Sequence, residues 1–311
     1  MCSEPAAPRR RSTIRAMQIG PRTRIALFVA AALASAATRT SAQLLNPDAP
    51  VVVGHFHMDV TSVAEHRKFW VDTLGGMPAK VGTADVVRFP GIVLFFDAKK
   101  PGGPNRGTAF DHIGFAVPDV PAVTTRVVAA GYTLTSGREP APGQEAAAAQ
   151  GTQAPYGRFS YILGPDGAKV ELVTSAEKEP APIVYHHIHF INKQYVEMQQ
   201  WYMKAFNATL RPGQTDFFIG ADLPGVGYSL NFFRWEGDPS VTHVATRGRA
   251  TDHVGFEVRN LPEFIKQLES KGITLTESYK KSNPEMGGIA TAVITDPWGV
   301  RIELTEGLRE K

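Results

Sequence analysis

The residues best equipped for chemistry are histidines set in short apolar segments. They are His55 and His57 in Gly54-His55-Phe56-His57-Met58-Asp59-Val60, His112 in Asp111-His112-Ile113-Gly114-Phe115, His187 and His189 in His186-His187-Ile188-His189-Phe190, and His253 in Asp252-His253-Val254-Gly255-Phe256. Two later segments each carry one glutamate, Glu171 in Lys169-Val170-Glu171-Leu172 and Glu303 in Arg301-Ile302-Glu303-Leu304. Imidazole and carboxylate are ligands for a divalent cation, and imidazole also exchanges protons near neutral pH. Cys2 is the only cysteine, so a disulfide, a thiolate nucleophile and a cysteine-based zinc site are excluded, and any metal must be held by His and carboxylates.

Side chains that are to converge need rigid elements, and the same elements recur four times. Each histidine segment reads as a strand, followed by helical spacing over Ser62 to Leu74, Val120 to Ala130, Val196 to Phe206 and Leu261 to Ser270. Gly75-Gly76, Gly131 and Gly272 suit the left-handed position that closes a helix, with Asn207 in that part in the third copy. Alternating β-branched segments come next. The second and fourth copies end alike, Gly164-Pro165-Asp166-Gly167 leading to Glu171 and Asp296-Pro297-Trp298-Gly299 leading to Glu303. The second half repeats the first at an offset of 132 residues for His55/His187 and Glu171/Glu303, and 141 for His112/His253. Alternate residues of a strand share a face, so His57 points with His55 and His189 with His187.

Over about residues 51–306 this pattern resembles the vicinal oxygen chelate superfamily, which includes glyoxalase I, extradiol dioxygenases and bleomycin-binding proteins. The resemblance implies an α+β fold of four βαβββ modules paired into two tandem domains, each a cupped sheet around a metal. It places His55, His112 and Glu171 as the ligands of the first domain and His187, His253 and Glu303 as those of the second. Such a triad leaves open positions on one divalent metal per competent domain, which favours Fe2+ and also suits Zn2+, Mn2+ or Ni2+.

The more specialised patterns of the family are not met. Where glyoxalase I has a fourth ligand, this chain has Phe95 in one half and Asn231 in the other. Where extradiol dioxygenases have a tyrosine, Tyr161 is present in the first domain but Val293 replaces it in the second. Catalytic candidates are therefore His57, His189 and Tyr161, the histidines as general bases or as groups that orient a ligand. Gly114 and Gly255, at the equivalent places in the partner modules, are expected to leave space for substrate. His66, His186 and His243 are expected to be solvated, without a role at a site.

The expected organisation is a secretory signal peptide over 1–42, an N-terminal linker over 43–50, domain one over 51–175, a linker over 176–182 and domain two over 183–308. The leader rests on Arg22 and Arg24, the apolar run Ile25 to Ala37 and the small residues Thr40-Ser41-Ala42, with Met17 an alternative start to Met1. It predicts export to the periplasm or beyond, with no membrane anchor after cleavage. An Ala/Pro/Gln/Gly-rich stretch, Glu139 to Pro155, is expected to form a loop near the mouth of the cup, read as a solvated insertion ahead of a lid over the first metal.

The formal charge of +3 belongs to the leader, since residues 1–42 hold seven arginines and one acid and leave 26 basic against 29 acidic residues elsewhere. Without a basic stripe, nucleic acid is not an expected partner. The expected partner is a small molecule, bound by a monomer or homodimer. Three function classes remain open: a metal-dependent enzyme of glyoxalase or dioxygenase type, a protein of bleomycin-resistance type that only binds a small molecule, and a pair of domains of which one is inactive. The tighter Asp-Pro-x-Gly turn before Glu303 inclines the reading toward that glutamate's site as the active one.

Overall fold

The computed structural model describes residues 44, 46, 48–137, 159–174, 183–283, 285 and 287–310. The leader, the Glu139 to Pro155 loop and the whole 176–182 linker lie outside these. The first module comprises β1 (Val51–Asp59), α1 (Val63–Arg67, continued as a π-helix over Lys68–Thr73), β2 (Met77–Val81), β3 (Ala84–Phe89) and β4 (Ile92–Asp97). The second comprises β5 (Phe110–Val117), α2 (Val120–Ala129), β6 (Thr133–Leu134), β7 (Phe159–Leu163) and β8 (Lys169–Thr174). The third runs through β9 (Val184–Asn192), α3 (Tyr195–Phe206), β10 (Thr209–Leu210), β11 (Phe218–Leu223) and β12 (Gly227–Arg234). The fourth runs through β13 (Thr251–Val258), α4 (Leu261–Ser270), β14 (Glu277–Asn283), β15 (Ile289–Thr295) and β16 (Arg301–Glu306).

Local chemistry sets the helix ends. Ser62, Asp119 and Asn260 cap α1, α2 and α4 by accepting from the backbone N–H of Glu65, Ala122 and Glu263. Asn207 closes α3 in the left-handed region at φ 54°, as its place in the repeat predicts.

The four modules form two eight-stranded sheets, but not in chain order. One sheet runs β14-β15-β16-β13-β1-β4-β3-β2 and joins the first module to the fourth; the other runs β10-β11-β12-β9-β5-β8-β7-β6 and joins the second to the third. The seams are antiparallel, with His57 opposite His253 in one and His112 opposite His189 in the other. Each half of the sequence thus contributes one module to each sheet.

The segments that connect modules one to two and three to four run together and hold this exchange in place. Asn105 donates through Nδ2 to the Thr251 carbonyl at 2.9 Å and accepts at Oδ1 from the Thr251 N–H at 2.7 Å. Backbone bonds Gly102 N–H to Gly248 O, Val244 N–H to Gly107 O and Ala250 N–H to Gly103 O continue the zipper.

One strand face carries the histidines and the other builds a core common to both sheets. Phe56 of β1 meets Phe110 of β5 and Tyr185 of β9, and Phe89 of β3 meets Phe115 of β5 at 4.8 Å between centroids. His66 belongs to this interior and corrects the expectation of a solvated side chain: it is fully buried, accepts from Trp70 Nε1 at Nδ1 (3.3 Å) and lies 3.2 Å through Nε2 from Asp166. With Nδ1 accepting, the proton sits on Nε2 and is donated to Asp166, which ties α1 to the turn before β8. Among the described residues no helix is long and apolar enough to cross a membrane.

Candidate metal centres

The exchanged modules change which ligands meet. In the first sheet His55 of β1, His253 of β13 and Glu303 of β16 converge, and in the second His112 of β5, Glu171 of β8 and His187 and His189 of β9 do so. The expected groupings of His55 with His112 and Glu171, and of His187 with His253 and Glu303, are therefore corrected. The six side chains are those singled out in the repeat, but His55 and His187 trade places because β1 pairs with β13 and β9 with β5.

In the first centre His55 Nε2 lies 3.1 Å and His253 Nε2 3.6 Å from Glu303 Oε2. The His55 ring lies over Gly255 on the neighbouring strand, where any Cβ would overlap it. The equivalent Gly114 in the second sheet makes room for the His187 ring. These glycines clear space for a ligand side chain, not for substrate as expected from the sequence.

Burial pushes the His55 imidazole toward its neutral form despite Glu303. Burial also opposes the cation at His253, but the hydrogen bond to Asp252 and the nearby Glu303 carboxylate outweigh it and raise that imidazole. For Glu303 itself burial favours the neutral acid, yet the adjacent His253 and His55 imidazoles hold its carboxyl well below the usual range.

The second centre is more compact. His112 Nε2 and His187 Nε2 lie 3.0 and 2.9 Å from Glu171 Oε2, and His189 Nδ1 lies 3.1 Å from His112 Nε2. Burial favours the neutral Glu171, but His112 and His187 overcome it and hold the carboxyl well below its ordinary value. Burial lowers His187 and pushes His189 well below the usual imidazole value, the latter reinforced by His112. His112 is raised, because Asp111 and Glu171 outweigh its burial.

Both centres have a matching outer layer that the sequence reading missed. Asp252 Oδ1 lies 2.7 Å from His253 Nδ1 and accepts from Arg301 at 2.8 Å; Asp111 Oδ2 lies 2.5 Å from His112 Nδ1 and accepts from Lys169 at 2.8 Å. A carboxylate at Nδ1 fixes the proton there and leaves Nε2 with a lone pair for a metal. The signal was present: an Asp precedes His112 and His253, and a cation stands two residues before each glutamate.

Other sequence candidates take up definite places. Tyr161 is opposite Glu171 in the β7/β8 ladder, with its ring 5.4 Å from that of His112, and Val293 is opposite Glu303. Phe95 packs edge-on against His55, and Asn231 Oδ1 accepts from Arg211 at 2.5 Å. His57 Nε2 lies 3.2 Å from Asp97, a partner that only the structure reveals. His186 is half-buried with Nδ1 2.8 Å from His187 Nδ1, and burial pushes it down to about 3. His243 is also half-buried and accepts at Nδ1 from Asn192 at 2.9 Å, so neither is a freely solvated side chain.

The chain belongs to the Glyoxalase/Bleomycin resistance protein/Dioxygenase superfamily, whose profile matches residues 52–172 and 183–304. Among solved structures it is similar to glyoxalase I from Zea mays, at 16% identity and a TM-score of 0.58 over 84% of this chain and 94% of that one. It is also similar to a putative dioxygenase from Bacillus subtilis, at 14% identity and a TM-score of 0.56 over 82% of this chain and 84% of that one. At these identities the likeness is one of fold. Among curated proteins none matches the chain by sequence.

The donor sets suit a divalent ion. His253 Nε2, both ring nitrogens of His55 and Glu303 Oε2 are buried without a well-formed hydrogen bond, although they face one another. Buried polar atoms left this way are costly unless something else binds them.

Proposed function

We propose that the protein is an exported metal-dependent enzyme that acts on a small substrate through neighbouring oxygens, with His55, His253 and Glu303 holding the metal of the first centre and His112, Glu171 and His187 that of the second. The observation that carries this reading is the convergence of His55, His253 and Glu303, whose facing atoms have no hydrogen-bond partner among the described residues. A divalent ion in that position polarises chelating oxygens as a Lewis acid. Fe2+ fits a two-His, one-carboxylate set with open positions, and Zn2+, Mn2+ or Ni2+ fit the same donors.

The protein's own groups then bind and move protons. At the first centre His57 stacks on Phe95 at 5.7 Å and lies 4.7 Å from the His253 ring. With Asp97 lying 3.2 Å from its Nε2, the tautomer that carries the proton on Nε2 would leave Nδ1 as the acceptor that takes a proton from bound substrate. At the second centre Tyr161 and His189 are the groups beside the ligands. Glu303 follows the tight Asp296-Pro297-Trp298-Gly299 turn, in which Asp296 accepts from the N–H of Trp298 and Val300, so the favoured active site is the first centre.

Each centre is completed within one chain, so a monomer suffices for the chemistry and a homodimer is compatible with it. Export rests on the Ile25 to Ala37 run and the small residues before Gln43, and N-terminal sequencing of secreted material is expected to start at Gln43, with an uncleaved N-terminus overturning it. Elemental analysis of the purified chain, followed by oxygen uptake with catechols if iron is found, tests the enzyme reading. A chain that takes up no divalent metal after reconstitution overturns it and leaves a small-molecule binding protein.

A further inference from the structure

His57 and His189 hold the same register position, two residues beyond a ligand and opposite the histidine of the neighbouring strand. Their surroundings differ at several residues, Phe95 against Asn231 beside them and Asp97 against Phe233 at the rim among these. Asp97, at the end of β4, lies 3.2 Å from His57 Nε2, and the ligand cluster does not include His57. At the matching place on β12 stands Phe233, whose ring lies 3.7 Å from that of His189, backed by Phe217 and Phe218. Among the described residues no carboxylate competes for His189 there, and the residue is 98% buried with its Nε2 lacking a hydrogen-bond partner. Its Nδ1 is turned toward His112 Nε2, which itself faces Glu171. His189 thus falls within the cluster of possible ligands of the second centre, while His57 falls outside that of the first.

We infer that His189 is a fourth protein ligand, so that the second centre holds its metal through three histidines and one glutamate while the first holds its metal through two histidines and one glutamate. This rests on the proposed metal reading and adds a division of labour to it. A four-donor site retains its ion and offers fewer positions to substrate; a three-donor site binds more weakly and stays open. The residue that decides between them is Asp97 or Phe233, which never touches the metal itself.

The test is titration of the metal-free full chain with Co2+, read by calorimetry and by visible absorption. Wild type is expected to show two events of unequal affinity. His189→Ala is expected to weaken the tighter one at least about tenfold, the scale on which even supporting residues of metal sites act, while His57→Ala leaves both unchanged. Two exchange variants guard against simple misfolding. Phe233→Asp is expected to weaken the tight event, and Asp97→Phe to strengthen the weak one by releasing His57 to join its cluster. Two events in His189→Ala indistinguishable from wild type overturn this inference and leave the metal reading standing. Failure of the wild-type chain to bind Co2+ at all overturns both.

Discussion

The first and second centres share a construction: a histidine on each of two antiparallel strands at a seam, a glutamate on a parallel neighbour, a glycine cleared for one imidazole and an Asp that fixes the other. They part where the third histidine finds its partner. In the first, His57 faces Asp97 on the rim at 3.2 Å; in the second, Phe233 packs on His189, which stays within the ligand cluster. The same backbone therefore supports an open centre with a positioned base and a closed one with an extra donor, through a change outside the ligand set.

The comparison breaks most sharply at the glutamates. Glu303→Ala is expected to remove one metal per chain, from the first centre, and Glu171→Ala one from the second; elemental analysis that shows no loss for either contradicts the assignment. Gly255→Ala should come next, because the new methyl would overlap the His55 ring. A loss of the first metal and of about 1–3 kcal/mol of stability is expected, measured by urea unfolding, with Gly114→Ala acting likewise on the second centre. Retention of full metal content in Gly255→Ala would show that the ring can be accommodated elsewhere.

Smaller effects sharpen the likeness of the two outer layers. Asp252→Asn and Asp111→Asn each remove a carboxylate from the Nδ1 of a ligand, and a weakening of about 10–100-fold at the corresponding centre is expected by calorimetry. Equal weakening at both centres by either variant would show that the layers are not separate.

The smallest effect is on the pH dependence of the metal-free chain. His112 and His253 are raised in the folded state, so the stability they lend is complete below pH 6.5 and fades as the pH rises through their folded values. His55, His187 and His189 are lowered, so theirs is present above 6.5 and lost as the pH falls through their folded values. Glu171 and Glu303 are lowered too, and their contribution is lost as the pH falls below 4.5. Stability is thus expected to peak near pH 6.5, and a melting temperature that climbs steadily to pH 9 would contradict these environments.

The four modules were legible because their signals are local. Alternating apolar strands, Ser62, Asp119 and Asn260 as caps, and Asn207 at a helix end act within a few residues. The pairing of modules was not legible, because each βαβββ unit presents a β-edge able to accept any of the others. What settles that choice is a contact such as Asn105 with Thr251, 146 residues apart between two stretches that read as loops. The repeat therefore marked six side chains, but the order of the chain misled about which three belong together. Asp97 escaped notice for a related reason: an exposed acid at a strand end has no visible partner until its neighbour across the ladder is known to be β1.

The measurement that bears most directly on the exchanged pairing is the metal content of two double variants after reconstitution. His55→Ala/His253→Ala strikes a single centre and is predicted to retain one metal per chain, whereas His55→Ala/His112→Ala strikes both and is predicted to retain none. One metal kept by His55→Ala/His112→Ala, and none by His55→Ala/His253→Ala, would mean that each half of the chain builds its own centre and would contradict the account given above.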